Sequence, residues 1–186
     1  MLVMDRLKGL GRVASLRLNT ALTRTGLFTA LVISPSIVYA QDLSQFDELN
    51  SYDNQAVISQ SGNSLNATIS QQGLSNRAVV SQMGFSTQID INQVGSSNRV
   101  TALQSGAEIE AAILQSGFNN VVVSSQQGSY LNLDIEQQGN DNLAAVLQMG
   151  NESSVTIYQN GAGHGVSVIQ YGQGQSAQVT QGYISN

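Results

Sequence analysis

Side chains able to do chemistry are scarce in this sequence, and their spacing decides what is open to them. Any Ser–His–Asp triad would rest on His164 alone, and one His cannot build a His-rich metal site. With no cysteine, disulfides, thiolate zinc sites and Cys nucleophiles are excluded. Asp134 and Glu136 stand two residues apart, so on a strand they face the same way, as a carboxylate pair for glycoside hydrolysis would. No sugar platform accompanies them, and a solvated outer face is the plainer expectation. Charged residues make up 10% of the chain and aromatics 5%, so the polar surface is built from amides and hydroxyls instead. Such bias, with 18 Gly, belongs to repeats or aggregation-prone polar sequence, and so to a structural protein before an enzyme. An apolar content of 41% stands above the signature of a wholly disordered chain.

The elements that must position these residues follow from a period. Gln recurs every 11 residues at Gln60, Gln71, Gln82, Gln93, Gln104, Gln115, Gln126, Gln137, Gln148, Gln159, Gln170 and Gln181. Gly follows two residues later at Gly62, Gly73, Gly84, Gly95, Gly106, Gly117, Gly128, Gly139, Gly150, Gly161 and Gly172; only Tyr183 breaks the rule. Four residues before each Gln the chain is always apolar, and two before it is apolar except at Ser124. Apolar positions at i and i+2, rich in β-branched residues, predict a strand with one buried face. The Gly predicts the turn, because it tolerates positive φ.

A longer beat doubles the unit to 22 residues. Six positions before alternate glutamines stand Asn54, Asn76, Asn98, Asn120 and Asn142, then His164; the other half-repeats hold Leu65, Thr87, Ile109, Leu131, Ser153 and Gln175 there. Each unit therefore reads strand, turn, strand, turn, with the Asn, both apolar residues and the Gln facing inward. One such unit cannot bury its apolar face alone, but stacked copies can. The fold class predicted is all-β, a β-solenoid of about six rungs, on the order of 30 Å long at ~4.8 Å per rung. Amides suit its interior, each able to donate to one neighbouring rung and accept from the other. Such columns end incomplete in a single molecule, so a second molecule stacked on the end is the expected partner. His164, standing in the Asn column, is expected to be a ladder substitute rather than a catalytic base or metal ligand. Asp90 and Asp134 share an outward column two rungs apart, where stacked like charge is expected to slow aggregation during export. Arg77 and Arg99 share another, for solubility or for contact with an acidic neighbour.

Charge is unevenly spread. Five of seven basic residues lie within the first 24 positions, ahead of an apolar stretch from Leu27 to Ala40. Val38, Tyr39 and Ala40 before Gln41 complete the pattern of a secretory signal peptide, cleaved between Ala40 and Gln41; the apolar run is short for a membrane anchor of roughly 20 residues. The expected division is a signal peptide at 1–40, an N-terminal targeting segment at 41–48 and the repeat solenoid at 49–186. Beyond Ala40, Arg77 and Arg99 stand against eleven acids, a net charge of −9. That balance argues against nucleic acid and against an anionic membrane surface.

The pattern Q-x-G-x-x-N-x-A-x-x-x-Q occurs unaltered as Gln71, Gly73, Asn76, Ala78, Gln82 and again as Gln137, Gly139, Asn142, Ala144, Gln148. It resembles the curlin repeat of curli, the functional amyloid of bacterial surfaces and biofilm matrix, over residues 49–181. The resemblance implies an extracellular β-solenoid fibre subunit without enzyme activity or cofactor. Its implied partners are its own copies, a second curlin subunit, and a dedicated outer-membrane secretion channel with accessory factors. Departures are the loss at Leu65, Ile109 and Leu131 of the Ser that often opens a repeat, His164 in place of Asn, and the final missing Gly. Residues Asp47 to Ile58 resemble the start of the minor, nucleating subunit, and the Gly-rich leader of the major subunit is absent. The acidic charge departs from the basic minor subunits, which leaves the major subunit as the alternative. Two rivals come from other classes. A monomeric solenoid adhesin wants capped ends, and an ice-binding solenoid wants ordered Thr columns, whereas Thr68, Thr101, Thr156 and Thr180 are scattered.

Overall fold

A computed structural model describes residues 53–182. The expected signal peptide, its cleavage pair Ala40 and Gln41, and the segment 41–48 lie outside these residues. Everything described is strand or corner: β1 (Gln55–Asn63), β2 (Asn66–Leu74), β3 (Arg77–Ser96), β4 (Arg99–Phe118), β5 (Val121–Asn140), β6 (Leu143–Asn151), β7 (Ser154–Ala162), β8 (Gly165–Gln173) and β9 (Ser176–Gly182). Each of β3, β4 and β5 makes a whole rung, while β1 with β2, β6 with β7 and β8 with β9 make one rung each. The fold is a parallel β-solenoid of six rungs, all-β as the 22-residue beat predicts.

Pairing is parallel throughout, and each residue lies beside the one 22 positions later. Ala78 pairs with Val100, Val100 with Val122, and Ile91 with Ile113. Parallel pairing normally needs a long crossover; here the second arc of each rung supplies it. The rung thus has two faces. The first is the outward side of 55–63 and its equivalents 77–85, 99–107, 121–129, 143–151 and 165–173. The second is the outward side of 66–74 and its equivalents.

The core is a column of alternating side chains between the two arcs. Ala78, Val80, Val100 and Val122 come from the first arc, and Ile89, Ile91, Leu133, Ile135 and Ile157 from the second; all are buried. The same positions in the outer rungs, Ala56, Ile58, Val166, Ala177 and Val179, are only partly buried, because a rung covers them on one side alone.

The corners differ from a simple Gly turn. Gly84 has φ +132, and a Cβ there would stand 1.9 Å from the Gly106 carbonyl oxygen; at Gly117 (φ +124) it would stand 2.0 Å from that of Gly139. These glycines serve a close approach of stacked backbone, and β3 to β5 run through them unbroken. The left-handed residue comes two positions later, at Ser64, Ser75, Ser86, Ser97, Glu108, Asn119, Tyr130, Asp141 and Glu152, whose φ lies between 53 and 61°. Left-handed conformation costs roughly 1–2 kcal/mol at a non-Gly residue. Corner hydrogen bonds to the preceding rung offset it, such as Ser97 N–H to Leu74 O (3.0 Å) and Asn119 N–H to Ser96 O (3.0 Å).

Candidate functional site

Three columns of amides run the length of the stack. In the first arc Gln60, Gln82, Gln104, Gln126, Gln148 and Gln170 are linked, each Nε2 donating to the next Oε1 at 2.5–3.1 Å. In the second arc Gln71, Gln93, Gln115, Gln137, Gln159 and Gln181 do the same at 2.8–2.9 Å. Period-two alternation turns these side chains inward, and the apolar residues beside them exclude water.

A second bond fixes each glutamine from Gln71 onward across the core. The Nε2 of Gln71 also donates to Gln55 O, that of Gln93 to Arg77 O and that of Gln115 to Arg99 O, each 16 residues back. Sequence reasoning missed this bond, since nothing in a spacing of 11 or 22 points to a carbonyl on the opposite arc.

The asparagine column runs the other way. Asn76 Nδ2 donates back to Asn54 Oδ1 (3.1 Å), Asn98 to Asn76, Asn120 to Asn98 and Asn142 to Asn120. Each Nδ2 also reaches the glycine carbonyl 19 residues on, as Asn98 does at Gly117 (3.1 Å). The Oδ1 of Asn76 accepts the backbone N–H of Asn98 as well. His164 takes the sixth place. Its backbone N–H donates to Asn142 Oδ1 (3.1 Å), and its Nε2 lies 3.2 Å from Asn160 O. A carbonyl can only accept, so that nitrogen carries the proton.

The two ends are unequal. Gln60 Oε1 and Gln71 Oε1 are buried without a partner; theirs is the first rung among the described residues. At the other end Gln170 and Gln181 use Nε2 on Ser154 O and Gly165 O, while in every earlier rung that group also serves the next glutamine. One end therefore offers acceptors and the other donors, on the same two columns. A third orphan, Thr87 Oγ1, is buried in the interior, where its column continues as Ile109 and Leu131.

The remaining candidates lie on the outward faces. Asp134 and Glu136 stand on the second face; Glu136 accepts a short hydrogen bond from Gln138. Asp90 and Asp134 flank Ala112 in one column. Asp90 accepts from Gln88 at 2.9 Å. Arg77 and Arg99 are neighbours at the edge of the first face. Among the described residues no three His, Asp or Glu stand together as a metal site, and no helix is long and apolar enough to cross a membrane.

A family model described as the curlin associated repeat matches residues 53–84, 106–139 and 150–182, more than half of the chain. Each stretch takes in three successive ladder glutamines. No curated protein and no solved structure gives a match.

Proposed function

Because the chain belongs to the curlin family, we propose that it is a subunit of an extracellular curli-type amyloid fibre that grows by end-to-end stacking of solenoids. The carrying observation is the pair of buried, unpartnered oxygens on Gln60 and Gln71 at the end opposite the donors of Gln170 and Gln181. Setting β8 and β9 of one copy against β1 and β2 of the next continues the 22-residue register. Gln170 then meets Gln60, Gln181 meets Gln71, Val168 covers Ile58 and Val179 covers Ile69. Both glutamine acceptors gain a donor, and the outer apolar residues are covered. Growth is polar, since donor ends and acceptor ends each fit only the other.

Purified residues 41–186 test this by thioflavin fluorescence and fibre diffraction. A reflection at about 4.7–4.8 Å is expected; a chain that stays monomeric and soluble refutes the reading and favours a monomeric adhesin.

Within the family the chain is read as the minor, nucleating subunit, supported by the resemblance of Asp47 to Ile58. The net charge of −9 beyond Ala40 favours the major subunit instead. Seeding decides: a nucleator shortens the lag of a partner curlin at substoichiometric amounts, whereas a major subunit forms the bulk of the fibre. The same reading takes in cleavage at Ala40–Gln41, passage through a curli secretion channel and a place at the cell surface in adhesion and biofilm matrix.

A further inference from the structure

The two faces of the solenoid differ in chemistry. Of the eleven large apolar side chains that are exposed among the described residues, eight lie on the first face. Val57, Met83, Phe85, Leu103, Ile169 and Tyr171 are among them, each about half exposed or more. That face carries no carboxylate in any rung, and its only charges are Arg77 and Arg99 at one edge. The second face holds Asp90, Glu110, Asp134 and Glu136. Exposed apolar side chains gathered on one face, set among Ser, Thr, Asn and Gln, suit a contact site.

We propose that the first face is a lateral interface, occupied by the first face of a second copy, so that curli-type filaments of this chain run in pairs. The inference rests on the fibre reading above. Strands of nine residues span ~30 Å at ~3.3 Å per residue, and six rungs rise ~29 Å. The face is thus on the order of 850 Å² per copy, against about 800 Å² per partner in a stable interface. Along a filament the contact repeats with every subunit.

Charge selects this pairing over the alternative. A first face laid on a second face would desolvate four carboxylates with only two guanidinium groups to answer them. Two first faces related by a twofold axis along the stack reverse the strand direction, so the column of Arg77 and Arg99 faces the column of Phe85 and Ala107. The guanidinium of Arg77 then lies across from the Phe85 ring, a favourable cation–π arrangement, rather than from its own copy. The central column of Ser81, Leu103 and Ser125 faces itself.

The test places a carboxylate in that central column. Leu103→Asp sets like charges opposite one another across the axis; Asn92→Asp adds the same charge to the second face. Fibre mass per unit length is read by electron microscopy beside thioflavin fluorescence and the stacking reflection. Parent and Asn92→Asp fibres are expected at the mass of two filaments, and Leu103→Asp fibres at about half that with stacking intact. Should Leu103→Asp fail to fold, Ser81→Asp tests the same column one rung away. A parent at single-filament mass overturns the proposal, as does a Leu103→Asp fibre at full mass or equal halving by Asn92→Asp. Single filaments whose first face instead retains heparin through Arg77 and Arg99 overturn it in favour of an anionic matrix ligand. If no chain polymerises, the fibre reading fails, and sedimentation tests the face separately: dimeric parent with monomeric Leu103→Asp supports it, and a monomeric parent overturns it.

Discussion

Replacing a ladder glutamine by leucine has consequences that depend on its rung, and the difference separates folding from assembly. Gln115 is fully buried and sits between two neighbours. It accepts from Gln93 at 2.8 Å and donates to Gln137 at 2.9 Å and to Arg99 O at 3.2 Å. Gln115→Leu leaves three buried polar groups short of a partner, at about 1–3 kcal/mol each. Burial of the new side chain returns roughly 1.5–3 kcal/mol. The middle of those ranges leaves a net loss of about 4 kcal/mol, a large part of the stability of a domain this size. Gln60 already carries an unpartnered Oε1 and gives the ladder one link, to Gln82. Gln60→Leu gives up that one link but also removes the orphan oxygen and buries the leucine, so by the same sum it costs a single molecule about nothing, yet it leaves the incoming Gln170 donor unpaired at every junction. Each added subunit then loses at least about 1 kcal/mol, which weakens end binding about fivefold or more. Guanidinium unfolding of the dilute chain followed by circular dichroism gives the first quantity, and seeded elongation gives the second. Gln60→Leu should elongate poorly while unfolding near the parent's midpoint, and Gln115→Leu should unfold far earlier. If Gln60→Leu elongates as fast as the parent, the polar junction through the glutamine columns is wrong.

Other outcomes follow from single residues. Thr87→Val removes the buried orphan hydroxyl and should stabilise the chain by about 1 kcal/mol, raising the thermal midpoint by about 2–4 °C. His164→Asn lets the side chain donate to Asn142 Oδ1 as the other asparagines do down the column, gaining about 1 kcal/mol; calorimetry should show a higher midpoint. Asp90→Asn with Asp134→Asn removes two charges that stand two rungs apart, ~9.6 Å at the usual strand spacing. That distance is close to the Debye length of about 10 Å at 0.1 M salt, so the lag of assembly should shorten at low ionic strength and match the parent's at high salt. An unchanged lag at low salt removes the gatekeeper role.

The rung was legible because two periods coincide, one set by the strand and one by the stack. Alternation at Ala78, Val80 and Gln82 states which side is inside, and the repeat of 22 states what lies above it. The glutamine and asparagine columns differ in a way spacing does not express. Whether an amide donates forward or back is decided by the carbonyl its other hydrogen reaches, Arg99 O for Gln115 and Gly117 O for Asn98. The corners were half legible. Gly at the second position after Gln stands out, but the left-handed residue two further on is Ser, Asn, Asp, Glu or Tyr, and Gly only at Gly163 and Gly174. Residues with a local hydrogen-bonding side chain tolerate that region, and the run of Ser64, Ser75, Ser86 and Ser97 was the signal to read. The difference between the two faces was present in the composition of the outward columns, yet it emerges only when all six rungs are laid over one another.

The corners also determine how the proposed filament would yield to load. Inside a subunit, neighbouring rungs are joined twice, by the strand ladder and by the chain itself as it winds through each corner. Between subunits only the ladder, the amide columns and the apolar contact hold. A pulled or sheared fibre therefore parts at subunit boundaries before any solenoid unwinds. Every such fracture exposes one intact acceptor end and one intact donor end, each ready to extend. Mechanical damage then multiplies growing tips instead of destroying them.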